Sequence, residues 1–517
     1  MPSNLNNVLT KQQRIAELAQ RLPAMPPQAE PGAFTSLAYH IDLQWLAEAY
    51  HRTRKDGAAG IDDVTAREYA ENLHDNLQHL LVRLQSGTYK APPVKRTHIP
   101  KGTKGETRPI GIPTFEDKIA QRAVVMLLEP IYEHDFYDSS FGFRPKRSAH
   151  HALAEVWNAT MGVSGGYVLE VDIQKFFDNL DHKHLREFVL RRVRDGVLRR
   201  LIGKWLKAGV MEDGGLSFPE SGSPQGGVIS PLLANIYLHY VLDEWFEKQV
   251  KPVMRGKCRL IRFADDFVIV FQLKYDADRV MNVIPKRFEK YGLTVHPDKT
   301  KLIDFRSPNH VERRREEKSN DDKTRKKRPE TFDLLGFTHY WGRSQKGNWT
   351  VKRKTMSSRI TRSLQKIDQW CRRNRHQPIR EQWKKLCEKV RGHFAYYGIT
   401  GNIKTLQEFR WEVMRRWQRW LNRRNNKRNL YWEKFNRLLG RFSLPLPKII
   451  HSIFKKRRIK MNENHVAKQN FEEPCAVVPQ ARICGSTGGV IPGATRHENV
   501  RRLRGGKSRA GNGTRLP

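Results

Sequence analysis

Cys258-Arg-Leu-Ile-Arg-Phe-Ala-Asp265-Asp266-Phe-Val-Ile-Val-Phe271 sets two apolar runs on either side of an Ala-Asp-Asp turn. The pattern predicts two antiparallel strands joined by a tight loop, with adjacent carboxylates at its tip. Upstream, Tyr167-Val-Leu-Glu-Val-Asp172-Ile-Gln-Lys-Phe-Phe-Asp178 predicts a buried strand over Tyr167 to Ile173. Asp172 falls where that strand ends, so its side chain can project from the sheet edge. If the strands are neighbours, the acids converge. Either motif alone would also suit an ordinary hairpin turn or a helix cap. Hard divalent cations take oxygen ligands, and Mg²⁺ uses one or two carboxylates completed by water and phosphate oxygens. Two such ions can clamp an in-line phosphoryl transfer. Two Mg²⁺ are therefore expected here, with Mn²⁺ as a substitute, held chiefly by Asp172 and Asp265.

The 517 residues allow roughly three to four domain-sized units at about 150 residues each, which excludes a small disulfide or metal scaffold. Five scattered cysteines (258, 371, 387, 475 and 484) make a disulfide framework unexpected and fit a reducing compartment. No apolar run approaches the ~20 residues that cross a bilayer, and the start Met1-Pro2-Ser3-Asn4 is polar. A soluble, cytoplasmic protein without a membrane partner is expected. Lys and Arg number 95 against 54 Asp and Glu, a net +41, which favours a polyanionic partner. The excess is concentrated: residues 341–460 hold 34 basic and 6 acidic side chains (+28), residues 1–340 hold 52 and 44 (+8). Eight of the twelve tryptophans share that basic stretch, and basic charge among aromatic faces suits nucleic acid.

The first 90 residues read as helical, with apolar spacing of three and four over Ile41 to Tyr50 and Ala66 to Leu84, separated by Gly57-Ala-Ala-Gly60. Residues 94–112 read as a β-hairpin bearing basic residues around a Gly-rich turn. Helices are expected over Phe115 to Glu129 and Gly227 to Phe246, so 90–345 is mixed α/β. Residues 312–330 carry charges of both signs and read as a solvated insertion. Three amphipathic helices follow, with apolar stripes over 360–371, 379–397 and 406–421; Pro378 opens the second and Gly398 closes it. Beyond about 472 the chain is rich in Gly, Arg and Pro, and is expected to be disordered without a partner.

The two carboxylate motifs, Ser223-Pro-Gln225-Gly226-Gly227-Val-Ile-Ser-Pro231-Leu-Leu-Ala-Asn235 between them, and Gly142-Phe-Arg-Pro145 upstream resemble the ordered blocks of a reverse transcriptase. Further blocks are Gly57-Ala-Ala-Gly-Ile-Asp62, Ile99-Pro-Lys101, Arg108-Pro-Ile-Gly-Ile-Pro113, Phe332-Asp-Leu-Leu-Gly-Phe337 and Arg391-Gly-His-Phe-Ala-Tyr-Tyr-Gly398. Together they narrow the resemblance to the group II intron-encoded reverse transcriptase/maturase family, over roughly residues 40–460.

That resemblance implies an α/β (α+β) right-hand polymerase: a fingers-palm domain with an antiparallel palm sheet, then an all-helical thumb/maturase bundle. The implied boundaries are 1–90 (N-terminal extension), 91–345 (fingers and palm), 346–440 (thumb), 441–472 (basic DNA/RNA-binding region) and 473–517 (tail). The implied partners are intron RNA, a DNA primer or target, and deoxynucleoside triphosphates. Asp172, Asp265 and Asp266 match the acidic triad, with the backbone carbonyl of Ile173 as a further metal ligand. Arg108 and Lys101 match groups that hold the triphosphate, and Lys104 competes with Lys101. Phe177 matches the bulky side chain that excludes a ribose 2′-hydroxyl; a core phenylalanine beside Phe176 is the competing reading. Gln225 and Gly226 would face the nucleotide, and Lys299 or its neighbour Lys301 would protonate pyrophosphate. Leu335, Gly336 and Phe337 match a primer grip, or else belong to the core. Arg410, Arg415, Arg416, Arg419 and Arg423 are placed to reach phosphates, while Trp417 lies on the apolar stripe.

Two features depart from the family pattern. Cys475, Cys484, His465 and His497 are too sparse for the His-Asn-His endonuclease that many members carry, and Phe263 stands where Tyr is usual. The function implied is RNA-directed DNA synthesis coupled to intron splicing and mobility. The alternatives are a splicing cofactor with a vestigial polymerase and a host-recruited enzyme of defence or repair.

Overall fold

The computed structural model describes residues 2–22, 33–100, 107–212, 215–217, 222, 226–308, 330–424 and 429–452, with side chains from residue 6 onward. Lys101, Lys104, Gln225, nearly all of the charged insertion, most of the basic region after 441 and the whole tail fall outside them.

The strands are β1 (Val94–Pro100), β2 (Thr107–Ile112), β3 (Tyr167–Val171), β4 (Val210–Glu212), β5 (Gly215–Ser217), β6 (Cys258–Phe263), β7 (Asp266–Phe271), β8 (Lys301–Asp304), β9 (Phe332–Leu334), β10 (Phe337–Arg343) and β11 (Trp349–Thr355). They form three sheets, ordered β2-β1-β4-β5, β6-β7-β3-β8 and β11-β10-β9. The middle sheet is antiparallel throughout, pairing Val171 with Phe267, Glu170 with Lys301 and Phe263 with Asp266.

Both faces of this middle sheet are covered, which explains why its strands read as unbroken apolar runs rather than as alternation. Leu169, Phe267, Ile269 and Phe271 face a core built with the N-terminal helices and the fingers. Val168, Ile261, Val268 and Val270 face a second core that runs into the C-terminal helices. At the centre of the first lies the helix Phe115–Asp135, buried almost all round. Against it pack Pro2–Arg21, which periodicity did not reveal, and Leu43–Arg52, whose N-cap Asp42 accepts from Trp45 N at 2.8 Å. The helix expected over Ala66 to Leu84 is two helices, because Asn72 leaves the helical region at φ −121°, ψ 45°.

The helix expected from Gly227 to Phe246 is α-helical only over Ser230–Leu238, then widens into π-helical turns at His239–Asp243 and Phe246–Val250. Such turns are frequent at functional sites, and this one contains Asp243, whose side chain has no exposed surface.

The bundle consists of Ser357–Arg373, Ile379–Tyr397 and Ile403–Asn422, with an unanticipated fourth helix at Trp432–Arg441. Trp417 is fully buried, donates from Nε1 to Gln382 Oε1 at 3.1 Å and packs edge-on to Phe435. Cys371 and Cys387 are buried free thiols. Among the described residues no helix is long and apolar enough to cross a membrane. If Trp417 is core, Trp417→Ala should lower unfolding free energy by about 3–5 kcal/mol and leave RNA affinity at low temperature unchanged. Chemical denaturation and filter binding would show both, and lost affinity without lost stability would refute the assignment.

Candidate active site

The hairpin loop between β6 and β7 is two residues, Ala264 and Asp265, because Phe263 pairs directly with Asp266. Ala264 takes a left-handed φ of 58°, as the first residue of a tight hairpin loop must to match strand twist. Asp172 follows directly on β3, and carrying the Val171–Phe267 register forward one step sets it opposite Asp266. Its carbonyl accepts from His296 N at 2.8 Å, and Ile173, itself buried, bridges to Val295. Three carboxylates thus meet at one end of the sheet.

Asp265 and Asp266 are half-buried by exposed surface, yet protein atoms crowd them and like charge acts on each, so both titrate upward. Burial pushes Asp266 up to about 7; Asp265 and Asp172 add to the rise, and Arg359 and Arg108 oppose it. Burial also raises Asp265, against the pull of its own backbone N–H and of Arg108. Arg108, on β2 opposite Ile99, therefore projects its charge to the turn from the fingers. Lys299 Nζ donates to Asp172 Oδ2 at 3.0 Å, whereas Lys301 lies on β8 beside Glu170, which separates two lysines that sequence left in competition.

Among the described residues no three His, Cys, Asp or Glu side chains stand close enough to enclose a metal ion by themselves. The Asp172 carboxylate is drawn to Lys299, which neutralises one of the three acids in the ion-free chain. The donor set still fits Mg²⁺, since it is all oxygen, supplies two carboxylates on one turn and one beside it, and carries like charge that a cation would relieve.

Residues 99–339 match the family model described as reverse transcriptase (RNA-dependent DNA polymerase). Protein YkfC of Escherichia coli K12 is 37% identical over 260 residues, covering 44% of this chain and 68% of that protein. The group II intron-encoded protein LtrA of Lactococcus lactis is 37% identical over 263 residues, 50% of this chain and 39% of LtrA. Nuclear intron maturase 2 of Arabidopsis thaliana is 29% identical over 229 residues, 37% of this chain and 30% of that protein. This chain belongs to the group II intron-encoded reverse transcriptase/maturase family. The catalytic domain is that of an RNA-directed DNA polymerase, with β3, β6, β7 and β8 as its palm. The chain spans well under half the length of LtrA.

Within the reverse transcriptase, Phe176 takes the core position and Phe177 is half-exposed at its edge, with ring centroids 5.3 Å apart. Gly226 packs against the fingers sheet. At φ 121° a Cβ there would stand 2.4 Å from the Gly111 carbonyl oxygen, so the loop backs directly onto β2. Leu335 and Phe337, expected in a primer grip or else in the core, are buried side chains. The Leu335 carbonyl accepts from Tyr396 Oη at 2.9 Å and the Gly336 carbonyl from Met356 N at 3.0 Å, so the turn serves the palm–thumb joint. Of the thumb arginines, Arg410 donates to the Leu444 and Pro445 carbonyls, Arg415 and Arg416 pair with Glu412, and Arg419 pairs with Asp368. Arg423 lies over Trp420 at 5.1 Å. Arg415, Arg419 and Arg423 remain exposed.

Sequence reading missed the network behind the acidic turn. Arg262 is fully buried and donates to both oxygens of equally buried Asp243, at 2.8 and 2.5 Å. Its Nη1 donates at 3.0 Å to Asn235 Oδ1 and to the Ala264 carbonyl, and Asn235 Nδ2 donates to the Gly142 carbonyl at 2.7 Å. Gly142 packs so closely that a Cβ would stand 2.3 Å from Ala264 N. The available signal was an arginine inside an apolar strand. Arg359, at the start of the first thumb helix, had none.

Arg262→Met should lower stability by about 3–5 kcal/mol by leaving Asp243 charged and alone. Arg262→Met with Asp243→Leu should recover most of that loss yet remain slow, since nothing then holds the Ala264 carbonyl; a fast double variant would show the pair to be structural only. Asp266→Asn should raise the Tm of ion-free protein at pH 8 while abolishing polymerase activity, and an unchanged Tm would show that repulsion at the turn is not felt.

Proposed function

We propose that this chain extends a DNA primer on an intron RNA template and, as a maturase, stabilises the folded intron for splicing. The observation that carries this reading is the meeting of Asp172, Asp265 and Asp266 at one sheet end, with the cations of Arg108, Arg359 and Lys299 around them. The primer 3′-hydroxyl would bond to the α-phosphorus of the incoming nucleotide as the bond to the pyrophosphate oxygen breaks. Mg²⁺ held by Asp172 and Asp265, with Asp266 beside them, would supply charge neutralisation and a more acidic hydroxyl. Arg108 would grip the triphosphate through its planar fork, with Lys101 and Gln225 contributing nearby. Lys299, beside Asp172, would pass a proton to departing pyrophosphate. Phe177, half-exposed just past Asp172, would meet a ribose 2′-hydroxyl. Arg415, Arg419 and Arg423 would hold phosphates, which makes binding steeply salt-dependent.

Mg²⁺-dependent cDNA synthesis on an annealed RNA template and DNA primer is the test. Asp265→Ala and Asp266→Ala should abolish incorporation with RNA binding retained, and Phe177→Ala should admit ribonucleotides at an increased rate. A folded, RNA-binding wild type that makes no cDNA would overturn the polymerase reading.

A further inference from the structure

A second concentration of positive charge lies on the fingers. Lys90, Ala91 and Pro93, which lead into β1, form a hollow of about 450 Å³ with Arg186, Arg200, Gly203, Lys204, Lys207, Ala208 and Gly209. Five of these ten lining residues are cations and none is a carboxylate.

The absence of counter-charge has a local cause. Residues 182–207 contain nine Lys or Arg and two acids, Glu187 and Asp195. Asp195 is buried and spends its carboxylate on the backbone N–H groups of Leu37, Ala38, Val197 and Leu198, at 2.6 to 3.0 Å. Glu187 pairs with His184 at 3.2 Å. Two neighbouring arginines are committed elsewhere, Arg191 to Glu244 and Arg192 to buried Asp135. Among the described residues Lys90, Arg186, Arg200, Lys204 and Lys207 have no carboxylate within ion-pair distance.

The hollow is also held in shape. Lys204, half-buried, donates to the Gly87 and Tyr89 carbonyls at 2.9 and 2.5 Å, tying the helix Gly196–Leu206 to the segment that enters β1. The remaining cations stay exposed around it on small walls of Ala, Pro and Gly. Like charges gathered without partners raise the energy of the free protein, and a row of phosphates lowers it. Pro93 lies six residue steps before Ile99, the partner of Arg108, roughly 20 Å at about 3.3 Å per residue. The hollow is therefore outside the reach of a nucleotide held by Arg108.

We infer that this hollow anchors the sugar-phosphate backbone of folded RNA at a site separate from the polymerase cleft. The choice of RNA rests on the intron partner proposed above.

The test uses the full-length chain carrying Arg186→Gln, Arg200→Gln and Lys207→Gln, with Lys204 kept because it ties main chain together. Affinity for a short RNA hairpin would be measured against salt, with a DNA duplex of equal length as competitor. The magnitude of the slope of log K against log salt should fall by about 2–3, close to 0.9 for each lost phosphate contact. RNA affinity at low salt should drop about tenfold or more, with kcat and KM on a short primer-template unchanged. An unaltered slope would overturn the site. A KM for primer-template that rises in step with the binding loss would place the hollow on the template track instead, and equal losses on DNA would overturn the RNA assignment. A catalytically inert wild type would sink the polymerase reading while leaving these binding slopes interpretable.

Discussion

The geometry of the acidic turn depends on one buried ion pair. A tight hairpin loop with Ala264 in the left-handed region is not a conformation that this residue favours alone. Arg262, from the strand leading into the loop, holds the Ala264 carbonyl while Asp243 and Asn235 hold Arg262. Gly142 then closes the far side, where no side chain could fit. A buried pair of this kind adds little net stability, because desolvating two charges offsets most of their attraction. What it supplies is direction: a planar, five-donor guanidinium fixes a carboxylate, an amide and a carbonyl at once.

The palm sheet transmits that order to the rest of the chain. Alternate residues of β3 and β7 enter different cores, Leu169 and Ile269 with the fingers, Val168 and Val270 with the thumb. Neither core can loosen without exposing one side of the strands that carry Asp172 and Asp266. The thumb is tied further by Tyr396 on the Leu335 carbonyl and by the rings of Phe337 and Tyr397, 5.2 Å apart. Arg359, on the first thumb helix, is in this way delivered to the acidic turn.

Most of the architecture was legible because it rests on period. The runs around Asp265, the strand before Asp172 and the three thumb stripes are local patterns that any chain of this composition would bury in the same way. The positions of the three carboxylates were legible because a strand end and a tight turn are local patterns; their joint reading came from the resemblance, since either motif alone suits a turn or a cap. The features that escaped are those where distant polar residues meet. Nothing near Asp243 in sequence shows that a π-helical turn carries it into the interior, and nothing near Arg359 points to an aspartate 93 residues earlier. A glycine such as Gly226 reports only close approach, not what approaches, and no sequence signal shows that the Gly111 carbonyl lies against it. Leu335 and Phe337 look the same in sequence whether they face a primer or a core.

The charge distribution brings fold and chemistry together. A chain of net +41, with most of the excess in residues 341–460, attracts polyanions over a broad surface, so attraction alone does not select one phosphate. Selection requires a place where the field reverses. The three aspartates make such a place, and their mutual repulsion is sustained because Arg262 and the two-faced palm sheet prevent the turn from relaxing. Phosphates would be repelled there unless cations intervene, and Arg108, Lys299 and Arg359 arrive from the fingers, the palm and the thumb respectively. Each of the three subdomains contributes one positive group to a centre that none could build alone.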